Sequence, residues 1–145
     1  MIRTAFAVAV LALGATALMA QSDPIAARKA LMKANGDQNK VATEMLEGKR
    51  PFNLDEAKKV LATFADAGQK APALFPDNSK TGGDTAALPA IWENKTDFEA
   101  KLAKFASDAK AAAAATTDFD SFKIQITEVR KNCGGCHQTY RKKTS

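Results

Sequence analysis

Histidine occurs once in the 145 residues and cysteine twice, a scarcity that removes several chemistries before any pattern is sought. A structural zinc site takes about four Cys or His ligands, and this chain has fewer. Tryptophan and tyrosine also occur once each, and there is no long basic tract or interleaving of aromatic with basic residues. Nucleic acid binding therefore has little support. No run of alternating β-branched residues marks a strand, and no grouping of acid, base and nucleophile marks an enzyme.

Long apolar runs are missing as well, with one exception at the start. Arg3 precedes an apolar stretch from about Ala5 to Ala20, which reads as a secretory signal peptide cleaved after Ala20. The stretch is slightly short for a membrane span and lacks a second flanking charge cluster, so an uncleaved anchor is the weaker reading. The predicted organisation is a signal peptide over 1–20 and one domain over 21–145. Without Arg3 the domain keeps 20 basic residues against 16 acidic ones, a mild excess. A chain of this size buries roughly two-thirds of its unfolded surface, enough for one core without disulfide staples.

What the sequence does contain is concentrated near its end. The run Cys133-Gly134-Gly135-Cys136-His137 uses both cysteines and the single histidine. It has the C-x-x-C-H form of a covalent haem attachment site, with two thiols for thioether bonds to the porphyrin and an imidazole for the iron. On a helix these three side chains can reach one ligand. A thioredoxin-like pair would need a strand-helix-strand context that the surroundings do not offer. A plain disulfide would leave His137 without a role.

Four amphipathic stretches separated by breakers predict an all-α fold, an antiparallel four-helix bundle. The first helix is expected from Pro24 to about Leu46–Gly48. The second is expected from Asn53 to near Gly68, with Glu56 as a capping-box partner and Leu54, Ala57, Leu61 and Phe64 buried. Residues 71–90 hold Pro72, Pro76, Pro89 and Gly82-Gly83 and read as a long packed loop anchored by Leu74, Phe75 and Leu88, with Ile91 and Trp92 just beyond. The third helix is expected from about Asp97 to Ala115. Thr117 or Asp118 caps the fourth, whose apolar row runs from Phe119 through Phe122, Ile126 and Val129 into the haem motif and Tyr140. The haem is thereby expected inside the bundle.

With these features the chain resembles the class II c-type cytochromes, the cytochrome c′ family of four-helix bundles with C-x-x-C-H near the C-terminus. The resemblance rests also on Arg28-Lys29-Ala30-Leu31-Met32, Leu74-Phe75-Pro76, Gly82-Gly83-Asp84, Ile91-Trp92 and Tyr140-Arg141-Lys142-Lys143. It implies a periplasmic bacterial protein with one covalent haem c per chain, Cys133 and Cys136 bonded to it and His137 as an axial iron ligand. It also suggests a propionate contact from Arg28, as against a plain surface charge, and a homodimer.

With no second histidine, Met32 and Met45 are the methionines of the domain that could bind the other side of the iron. The start of an antiparallel first helix lies beside the end of the fourth, which favours Met32; Met45 is about 20 Å further along. A non-ligating core methionine is the plain alternative. The setting Leu31-Met32-Lys33-Ala34-Asn35-Gly36 resembles the low-spin, methionine-ligated branch of the family, of cytochrome c-556 type. The expected function is one-electron transfer without catalysis. The alternative is a high-spin, five-coordinate haem that binds nitric oxide or carbon monoxide. Lys123, Arg130, Lys131, Arg141, Lys142 and Lys143 form a basic face for an acidic redox partner, or simply a solvated helix surface.

Overall fold

The computed structural model describes residues 23–143, so the expected signal peptide lies outside the described residues. The elements are α1 (Pro24–Leu46), α2 (Leu54–Lys70), the single turn α3 (Ala90–Glu93), α4 (Lys95–Ala115) and α5 (Phe119–Tyr140), with two short 3₁₀ turns at Ala71–Leu74 and Asp77–Ser79. Among the described residues no strand forms; Ala87 and Arg141 make one isolated antiparallel bridge. The fold is the expected four-helix bundle, built from α1, α2, α4 and α5.

Local chemistry explains most boundaries. Asp23 caps α1, its carboxylate accepting from the Ile25 N–H at 2.9 Å, and Pro24 starts the helix where its missing N–H costs nothing. Gly48, at φ 69°, ends it in a left-handed turn. Asn53 caps α2 through the Glu56 N–H, but the expected return bond from Glu56 gives way to an ion pair between its carboxylate and Arg50 at 3.2 Å. The reciprocal capping box occurs on α5 instead, between Asp118 and Ser121. The third long helix starts two residues earlier than expected and is preceded by α3.

Gly68 does not end α2. The helix continues to Lys70, and Gly68 lies hard against α4: a Cβ there would stand 2.8 Å from Ala106 Cβ, Ala106 N and the Leu102 carbonyl oxygen. Glycine is required by the packing and not by the backbone conformation.

Two apolar cores fill the bundle. The larger gathers Met45, Val60, Leu61, Phe64, Phe122 and Ile126 with their neighbours, and the smaller gathers Ala71, Phe75, Ile91, Phe98, Leu102 and Tyr140. Leu31 touches both, and Cys136 packs against the smaller one. Met45 is fully buried in the larger core, acting as filler.

Candidate haem site

The inner rows of α1 and α5 lose their cover over one stretch. On α5, Phe122, Ile126 and Val129 are buried, then Cys133 and His137 are exposed and Cys136 half-buried, and Tyr140 is buried again. On α1, Ile25 and Arg28 are buried, Leu31, Asn35 and Gln38 only half so, and Ala42 and Met45 buried again. Met32, beside this row, keeps 37% of its surface exposed.

Two sets of hydrogen bonds fix how these helices face each other. Arg130 of α5 donates to Asn39 Oδ1 (2.7 Å), the Asn39 carbonyl (3.0 Å) and Thr43 Oγ1 (2.8 Å) of α1. At the other end the Lys142 N–H donates to the Ala86 carbonyl at 2.8 Å and the Leu88 N–H to the Tyr140 carbonyl at 3.0 Å. The same loop is tied to α1 by Arg28, whose Nη2 donates to Thr85 Oγ1 at 2.6 Å. The helices are therefore antiparallel. His137 lies seven residues beyond Arg130, and Met32 seven residues before Asn39, so each is about 10 Å along its axis from the same pin. Met32 and His137 therefore stand at the same height to within about one helical turn.

The electrostatics suit a slot. Burial pushes the Cys133 and Cys136 thiols above their ordinary range and His137 below its own, Arg141 adding to the latter. Cys133 and His137 are nonetheless reachable from solvent; side chains lining a concavity combine the two. The imidazole is held neutral, the form that binds a metal, and the thiols keep their protons. Gly134 and Gly135 have open space where a Cβ would stand.

Arg28 is only 4% exposed and faces the loop. Nη1 donates to the Leu74 carbonyl (3.2 Å) and Ser79 Oγ (2.9 Å), while Nη2 also donates to the Ser79 carbonyl (2.9 Å). Its guanidinium carbon lies 4.8 Å from the Phe75 ring centre and 5.8 Å from that of Trp92. Burial lowers its pKa, with Asp23 opposing. Ser79 and Thr85, which complete this cage, carry no sequence signal of such a role.

Within the basic face, Arg130 is spent on α1 and Lys131 pairs with Glu128, so neither is a free docking charge. A groove of about 610 Å³ between α4 and α5 reaches Cys136 but neither Cys133 nor His137. It is not the site. Among the described residues no three His, Cys, Asp or Glu side chains converge on a metal position. The uncovered seam, its two thiols and neutral imidazole, and a buried Asn35 Oδ1 with no hydrogen-bond partner all fit a covalently attached haem between α1 and α5.

Residues 23–141 match the family model described as Cytochrome C′. The chain is 44% identical to a cytochrome c′ of Rhodopseudomonas palustris and 31% identical to a cytochrome c-556 of the same organism, each over 99% of both chains. Among solved structures, cytochrome c′ from Rhodopseudomonas palustris superposes with a TM-score of 0.83 at 47% identity, covering 86% of this chain and all of that one.

Proposed function

Because the chain belongs to the cytochrome c′ family, we propose that it is a periplasmic one-electron carrier whose haem c is bonded to Cys133 and Cys136, with His137 and Met32 as the two axial ligands of iron. Bound haem supplies a metal centre that takes up and releases one electron. The chain's own residues do the rest. The Cys133 and Cys136 thiols tether the group through two carbon–sulfur bonds, and neutral His137 offers a nitrogen lone pair. The Met32 thioether favours the reduced metal. With His137 and Met32 both holding the metal, little in the chain would have to move on electron transfer, and the side chains would leave no room for a substrate. The export expected from residues 1–20 belongs to this reading, as does an acidic redox partner. Among the described residues no helix is long and apolar enough to cross a membrane.

The observation that carries the reading is the matched height of Met32 and His137 between the Arg130 and Arg28 pins, with Met32 left uncovered at the seam. The optical spectrum of the haem-loaded protein tests it: a low-spin spectrum with a weak far-red sulfur-to-iron band in the ferric form is expected, and Met32→Ala is expected to turn it high-spin.

A second reading has its own support, since identity to a cytochrome c′ exceeds identity to a cytochrome c-556. In that reading Met32 lines an apolar cavity beside a five-coordinate iron that captures nitric oxide or carbon monoxide. A high-spin spectrum before any substitution selects it.

A further inference from the structure

The inner row of α1 runs Ile25, Arg28, Leu31, Asn35, Gln38, Ala42, Met45, one side chain per turn. Apolar residues belong in the middle of a row that faces a core, and two carboxamides stand there instead. Such departures gather at functional positions. Asn35 departs furthest. Its Oδ1 is shut off from solvent and has no partner among the described residues, a costly state for a buried polar atom. Its place is specific: Asn35 follows Met32 by three residues, which makes the two side chains neighbours on the helix surface, and it stands within a turn of the height of His137.

We propose that in the haem-loaded protein Asn35 donates a hydrogen bond from its amide nitrogen to the Met32 sulfur, and so acts as a positioning residue that sets the reduction potential through that ligand. The inference rests on the Met32 ligation reading. A half-turn of the amide exchanges its oxygen and nitrogen with almost no change of shape. With haem bound, the nearby acceptors would be the Met32 thioether sulfur on the same helix and the carboxylates of the porphyrin, so the N–H₂ end would turn toward them and the stranded oxygen would be relieved. Donation to sulfur withdraws density from the ligand. Ferric iron, which depends more on that density, is weakened relative to ferrous, as outer hydrogen bonds commonly tune a metal.

The test uses the full haem-loaded protein and three variants. Asn35→Leu keeps the branched outline and removes the amide, Asn35→Ala serves if the larger leucine prevents folding, and Gln38→Ala is the control on the same row. Reduction potential, the far-red ferric band and the Met32 ε-methyl proton resonance of the ferrous protein are read together. The expected result is a lower potential with a shifted band and resonance in the Asn35 variants, all still low-spin, and no change in Gln38→Ala. Low-spin Asn35 variants with an unmoved band and resonance overturn the Asn35 inference alone; a shifted potential with an unmoved resonance does so too, by assigning the amide to a propionate. A high-spin parent protein overturns Met32 ligation and this inference with it.

Discussion

Arg130 of α5 and Asn39 of α1, 91 positions apart in the chain, share two hydrogen bonds, at 2.7 Å from Nε to the side-chain oxygen and 3.0 Å from Nη2 to the carbonyl. They close one end of the uncovered seam, opposite the end closed by Arg28 and the loop against Tyr140 and Lys142. Replacing Arg130 with methionine keeps most of its aliphatic packing and removes the bonds to Asn39 and Thr43. The expected cost is about 2 kcal/mol, seen as a lower urea midpoint. Carbon monoxide should bind the ferrous protein faster in this variant, since the helix bearing Met32 is less firmly held.

Arg28→Ala should be more damaging. It removes four donations to the loop at Leu74, Ser79 and Thr85 and leaves a void between Phe75 and Trp92. A loss of about 3 kcal/mol is expected, measured by denaturant unfolding, with amide exchange accelerated over 74–88.

Gly68→Ala tests the close approach of α2 and α4. The added methyl meets backbone atoms of α4 at 2.8 Å, which cannot swing aside as a long side chain would. Destabilisation of about 1–3 kcal/mol is expected, while the haem spectrum stays unchanged because α2 and α4 are not the seam.

Tyr140 gives a pH dependence. Its hydroxyl donates to Asp97 at 2.5 Å, and this bond, with burial and the charge of Asp97, pushes its pKa up to about 12 from the usual 10.0. The folded state thus holds the phenol proton more tightly than the unfolded one. The associated stability is fully present below the ordinary tyrosine value and is lost as pH rises through the folded one. Tyr140→Phe should flatten the stability profile over that alkaline interval, and unchanged slopes in the two proteins would contradict the assignment.

Much of this was legible because it is periodic or chemically rare. The rows on α2, α4 and α5 set the elements, and the motif at 133–137 exhausts the cysteines and the histidine, so no competing site could be built. The misreadings have local causes. The end of α2 falls two residues past the expected Gly68, whose glycine serves the packing against α4. Glu56 looked like a capping partner until Arg50, brought round by the Gly48 turn, claimed its carboxylate. The Arg28 cage was illegible because its acceptors are backbone carbonyls and hydroxyls of an irregular loop, where no spacing rule operates. Arg130 belongs by spacing to the basic face of α5, and nothing in a helical repeat tells that a distant asparagine will meet it.

The seam joins the first helix of the bundle to the last. Met32 leaves the ribosome and crosses any export channel long before Cys133 does, so during biogenesis the two halves of the pocket exist at different times. Cofactor stitching at the rear of the polypeptide can begin before folding, but the slot that encloses the porphyrin closes only when the opening segment docks against the closing one. A chain cut short between α4 and residue 133 would carry three of the four helices and neither tethering thiol.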